Sequence, residues 1–184
     1  MIRKSFTVFQ TKDGIQEQNI EILMSEGLGI HVVGLVDTNM KEMLLRTVNA
    51  MVNGNFKIPG RKIVINILPS NLCKENTNGY DLPVAAGLIA ASEQMDLPLL
   101  ENFILTGELG LEGEVRPTGM AESLTENTEG KKYIISEKEA ENVKKELEES
   151  VYAVSNLKQA IGILSGEKDS EKFLLKNIKH SGKI

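Results

Sequence analysis

The chain has 184 residues, of which 41% are hydrophobic, 4% aromatic and none tryptophan, and its formal charge is −5. Such a length fits one domain with an aliphatic core, and the acidic balance, with a sequence pI near 5.2, excludes a general attraction to phosphate backbones, so nucleic acid is expected to be reached only indirectly. One cysteine excludes an internal disulfide, Arg3 and Lys4 lead into alternating residues rather than a leader's apolar run, and the longest apolar stretch, from Leu82 to Ala91, falls far short of the roughly 20 residues that span a bilayer. A cytoplasmic protein without membrane contact is the expectation.

The first third alternates with period two at Phe6 and Val8, at Ile20, Ile22 and Met24, and at Ile30, Val32 and Val33, with Gly14, Gly27, Gly29 and Gly34 between or within these runs. This pattern predicts three short strands joined by tight turns. From Thr38 the period becomes helical at Met40, Met43, Leu44, Val48 and Met51 until Asn53 and Gly54, with Thr38 or Asn39 as cap. Ile63, Val64, Ile65, Ile67 and Leu68, closed by Pro69, read as a strand at the covered centre of a sheet.

After a polar, turn-rich segment from Asn71 to Tyr80, Asp81 stands as N-cap before a helix from Leu82 to Ala91 that is apolar nearly all round and so deeply buried. Phe103 to Thr106 gives a further strand, and Gly107 to Pro117 a hairpin turning at Glu112 and Gly113. A strand at Tyr133 to Ile135, a charged helix from Ser136 to Leu147, a strand at Val151 to Val154 and a helix from Leu157 to Leu164 ending at Gly166 complete an α/β pattern of helices packed on a mixed sheet. One domain over 1–166 is followed by a Lys-rich tail, 167–184, which reads as a frayed end or a short docking helix carrying Phe173, Leu174 and Leu175.

Few residues carry obvious chemistry. The stretch GNFKIPGRK from Gly54 to Lys62 lacks the spacing of a phosphate-binding loop and runs from helix to strand, the reverse of the order that aims backbone amides at a phosphate. Cys73 as a nucleophile would need His31 or His180 beside it, and two histidines and one cysteine have no zinc-ligand spacing. Glu108, Glu112 and Glu114 cluster on the hairpin, where a solvated face is the simpler reading than a cation site. No cofactor or metal is expected.

Three segments in order say more: NILPSNLCKE at 66–75, DLPVAAG at 81–87 and TGELGLEGEVRP at 106–117. Together they resemble the magnesium-chelatase-like domain at the N-terminus of ComM (YifB) proteins, and the similarity extends from Gly29 to Gly166. The residues that carry it are Asp81, Pro83, Gly87, Gly107, Glu108, Gly113, Arg116 and Pro117, mainly structural in role. The resemblance implies the fold of the Lon proteolytic domain, whose Ser–Lys dyad would fall at Val84 or Ala85 and near Ala121 in this sequence. None of these side chains can act as nucleophile or base, so no catalysis is implied. Cys73 and Asn76 depart from the family's usual Arg and Gly, and the segment from Met120 to Glu126 is less apolar than usual, which implies shallower packing there.

In ComM proteins an ATPase module follows this domain, whereas this chain stops at Ile184. The expectation is a non-catalytic accessory domain whose partner is an AAA+ ATPase or another protein, in the setting of DNA uptake or recombination, with only weak self-association. The tail is the expected docking segment, and the charged helix at 136–147 is not. Two other readings are a Lon-like peptidase using Cys73, Ser70 or Ser92, and a DNA-binding module of a recombination ATPase.

Overall fold

In a computed structural model the chain is described over residues 1–34, 38–68, 79–126 and 129–184. Ser70, Cys73 and Asn76, with most of the turn-rich 71–80 segment, lie outside these residues. The alternating first third forms β1 (Ile2–Thr11) and β2 (Gly14–Ser25), paired antiparallel from Ile2↔Leu23 to Thr11↔Gly14, then β3 (Ile30–Val33). Gly14 closes the hairpin at φ +118°, a conformation that a Cβ disfavours. Helix α1 (Thr38–Asn53) and strand β4 (Lys62–Leu68) follow, then α2 (Asp81–Ala91) and β5 (Phe103–Leu105).

The hairpin strands β6 (Glu108–Leu109) and β7 (Val115–Arg116) come next, followed by β8 (Lys132–Ser136), β9 (Val151–Val154), α3 (Leu157–Ser165) and α4 (Leu175–His180). A seven-stranded sheet has the order β3-β4-β2-β1-β5-β8-β9. It is mixed: β1, β2 and β4 pair antiparallel, while β3 with β4, β1 with β5, β5 with β8 and β8 with β9 run parallel.

Alternation along the strands assigns side chains to two faces. Ile20 and Ile22, Ile63, Ile65 and Ile67, Leu105, Ile134 and Val154 join α1, α2 and α3 in the larger core. Val8, Ile104, Tyr133, Ile135, Val151 and Ala153 point the other way, into a second core with Met120, Ala121, Leu124, Ala140, Val143, Leu147, Leu175 and Ile178. Helix α2 lies so close to the sheet that a Cβ at Gly87 would stand 2.6 Å from Ile22 Cδ1. Pro83 sits in its first turn, where a missing N–H costs nothing, and its carbonyl accepts Ser5 Oγ at 2.9 Å.

Four expectations are corrected. Strand β4 is covered on one face only: Val64 is half-buried and Leu68 exposed, because the second core lies over β5, β8 and β9. The charged 136–147 segment is two short 3₁₀ helices (Glu137–Asn142 and Lys145–Leu147) separated by Val143 and Lys144 in an extended conformation. Ala140, Val143 and Leu147 are buried, so their i, i+3, i+7 spacing imitates a helix while tertiary packing sets the backbone. The Met120–Glu126 segment contains a single 3₁₀ turn (Ala121–Ser123), yet Met120, Ala121 and Leu124 are fully packed.

The fourth correction concerns the C-terminal segment. Leu175 is completely buried and Ile178 nearly so, while Phe173 and Leu174 pack on the larger core. Leu174 forms an antiparallel bridge to Tyr152 on the edge strand β9, and Lys179 pairs with Glu148 at 2.7 Å. This segment is part of the core rather than an exposed docking strip.

Candidate functional site

The motif residues converge on the β6–β7 hairpin. Gly107 leads into it, and its carbonyl accepts the Leu82 amide at 3.0 Å. A Cβ at Gly107 would stand 2.6 Å from Val115 Cγ1, so only glycine lets α2 and the hairpin approach this closely. Gly113 turns the loop at φ +91°, its amide donating to Gly110 O at 2.9 Å. Glu114 folds its carboxylate over Gly110, in the space that any side chain there would need. Arg116 donates to Glu114 at 2.7 Å and stands 3.7 Å from Glu108. The Arg116 hydrogen bond holds the Glu114 carboxyl below the usual carboxylate range. Pro117, without an N–H, ends the pairing.

Asp81 is the fully buried centre of this arrangement. Its Oδ2 accepts Arg46 Nε at 2.8 Å and the Leu109 amide at 3.0 Å, while Oδ1 accepts Arg46 Nη2 at 3.2 Å. It is therefore not the N-cap: Tyr80 holds that position with helical dihedrals and no side-chain cap, and Asp81 is the first helical residue. A bidentate, charge-assisted partner on α1 outweighs one capping amide. Burial pushes the Asp81 carboxyl above the usual range against the pull of the guanidinium and the amide, and the Asp81 hydrogen bond raises Arg46 in turn.

Further bonds tie the hairpin down on all sides. Asn53 on α1 donates to Leu111 O at 2.5 Å, Val115 donates to Ser155 O and Leu157 donates to Gly113 O, both at 2.8 Å, and Ser136 Oγ donates to Val115 O at 2.8 Å. Beyond Pro117, the amides of Thr118 and Gly119 donate to Glu139 at 3.0 and 2.6 Å. Glu139 is buried and was not singled out in the sequence, since nothing distinguishes it from Glu137 and Glu141 beside it.

The positions of a Ser–Lys dyad are not brought together. Val84 and Ala85 are buried in the larger core, on one face of the sheet, and Ala121 in the second core, on the other. Ser92 donates to Ile89 O at 3.0 Å and accepts from Gln94 at 2.6 Å. His31 and His180 are exposed against the backbone carbonyls of Leu28 and Lys176. Among the described residues no three His, Cys, Asp or Glu side chains are grouped to hold a metal ion, and no helix is long and apolar enough to cross a membrane. Residues 54–61 join α1 to β4 as a loop, and Lys62 opens the strand.

Residues 20–140 match the family described as subunit ChlI of Mg-chelatase. The chain is 36% identical over 162 residues to the uncharacterized protein YifB of Salmonella typhimurium, covering 86% of this chain and 32% of that protein. It is 40% identical over 125 residues to YifB of Escherichia coli, covering 67% and 24%, and 32% identical over 151 residues to competence protein ComM of Haemophilus influenzae, covering 80% and 30%. The chain thus spans a third or less of the length of these curated relatives. On this family match and these identities, the chain belongs to the ChlI family of Mg-chelatase-like domains, in the branch of the YifB and ComM proteins.

Proposed function

We propose that this chain is a non-catalytic accessory domain that works by docking to an AAA+ ATPase, in the manner of the corresponding region of ComM-type proteins. One observation carries the reading: the motif residues hold the hairpin between α1, α2 and β9, while Val84, Ala85 and Ala121 are aliphatic and buried on opposite faces of the sheet. The fold is then a Lon-type proteolytic fold without its dyad, used as a rigid body. The name of the competence relative suggests DNA uptake as the setting, with nucleic acid handled by the ATPase, since this chain's net charge is −5.

As an isolated 184-residue polypeptide the chain is expected to be a monomer or a loose oligomer at micromolar concentration, since tethering to a ring-forming ATPase is what would hold copies at high effective concentration. Sedimentation of the chain with an AAA+ ATPase of ComM type that lacks this domain tests the proposal. A stable complex is expected, with the chain alone sedimenting near its monomer mass of 20.3 kDa at low micromolar concentration. A stable ring formed by the chain alone, or no complex at tens of micromolar, is the contrary result.

A further inference from the structure

A cleft of about 390 Å³ opens between the C-terminal end of α3, strands β5 and β9, and the Ser170–Phe173 turn. That volume falls at the smaller end of small-molecule sites. Its floor is apolar: Phe103, Tyr152 and Ile163 are buried there, the two rings meeting edge to face with centroids 5.4 Å apart. Two carboxylates and two ammonium groups stand at the rim, and they are not equivalent. Glu171 accepts the Tyr152 hydroxyl at 2.9 Å, and Glu167 folds against Gly162, its Oε2 2.6 Å from where a Cβ would stand. Both acids are thus turned to the protein.

The lysines are not neutralised in this way. Among the described residues neither Lys132 nor Lys168 forms an ion pair, and the Lys132 ammonium stands 5.5 Å from the Tyr152 ring centroid. In the same wall Ser170 Oγ is buried without a hydrogen-bond partner. A hydroxyl without a hydrogen-bond partner and two ammonium groups without ion pairs, lining one cleft above an aromatic floor, are complementary to an anion carried on an apolar body. The nearby Glu167 and Glu171 favour one negative charge over two, since a dianion would feel both carboxylates at close range.

We propose that this cleft binds a small aromatic carboxylate, its ring on Phe103 and Ile163 and its carboxylate held by Lys132, Lys168 and the Ser170 hydroxyl. The test is an amide NMR titration of the full chain with N-acetyl-L-phenylalanine, its neutral amide N-acetyl-L-phenylalaninamide, and phenyl phosphate. Saturable shifts are expected at Phe103, Lys132, Ile163, Gly166 and Ser170 with the acid, and binding about tenfold weaker with the amide. The double variant Lys132→Met, Lys168→Met should weaken the acid by about tenfold or more, and Ser170→Ala by a few-fold. These positions lie on exposed or partly exposed rims, so an unchanged thermal midpoint confirms that the variants are folded. Equal binding of acid and amide, or acid binding unaffected in the double variant, would overturn the proposal. Tighter binding of phenyl phosphate would overturn the single-charge assignment, and no saturable shift at tens of millimolar acid would overturn the site itself.

Discussion

Removing residues 167–184 is expected to yield a chain that no longer folds cooperatively. The deletion strips Leu175 and Ile178 from the second core and Phe173 and Leu174 from the larger one. Each fully buried aliphatic side chain contributes about 1.5–3 kcal/mol, so the loss is on the order of 5–10 kcal/mol, comparable with the total stability of about 5–15 kcal/mol typical of one domain. The deletion also uncovers the edge of β9, where Leu174 bridges Tyr152, and removes Glu171 from the Tyr152 hydroxyl, whose pKa burial and that carboxylate together push up to about 12. Leu175→Ala gives the graded version, with an expected cost of about 2–5 kcal/mol. Thermal unfolding followed by circular dichroism reads both. A truncated chain melting at the wild-type midpoint would show that α4 is not a core element.

Asp81→Ala is expected to cost about 3 kcal/mol, because it leaves Arg46 without its counter-charge and the Leu109 amide without an acceptor. The figure is at the lower end for a broken buried pair, since the Arg46 side chain keeps 24% exposure and can turn to water. A capping role alone would cost about 0.5–2 kcal/mol, and Arg46→Ala would then be neutral. In the present arrangement Arg46→Ala is also destabilising, and the two losses are not additive in a double-mutant cycle.

The pH dependence has a definite sign. Burial raises the folded-state pKa of Asp81 above its unfolded value. Its contribution to stability is therefore fully present below the unfolded pKa and is lost as pH rises through the folded one. Relative to Asp81→Asn, the wild type should gain stability as the pH falls from neutral toward about 4. A wild type that instead loses ground on acidification would mean that Arg46, not burial, sets the Asp81 pKa.

Much of this architecture is legible in the sequence because it is local. Alternation at Ile20, Ile22 and Met24 marks β2, the apolar run after Asp81 marks α2, and Gly166, at φ +81°, marks the end of α3. What the sequence hides depends on distant partners. Asp81 has the look of a cap, and only the fold shows Arg46, 35 positions earlier, holding its carboxylate. Glu139 is one of several similar acids until the loop at Thr118 and Gly119 is brought against it. Phe173, Leu174 and Leu175 among lysines suggest an exposed strip because the β9 edge that they wrap, with Phe173 and Leu174 on one core and Leu175 in the other, exists only in the assembled sheet, and 3₁₀ turns replace the helix at 136–147 because burial of Ala140, Val143 and Leu147 overrides the local pattern.

In the proposed accessory role the family motif builds a rigid, chemically inert body around the buried aliphatic positions Val84, Ala85 and Ala121. Intact-mass measurement after incubation with a fluorophosphonate serine probe, run beside a casein cleavage assay, tests it most directly. The account predicts an unmodified chain and intact casein, because Val84, Ala85 and Ala121 offer neither nucleophile nor base and Ser92 is held by Ile89 O and Gln94. Stoichiometric labelling that disappears in Ser92→Ala or Ser70→Ala, or casein cleavage lost in one of these variants or in Cys73→Ala, would contradict it and make the chain a peptidase.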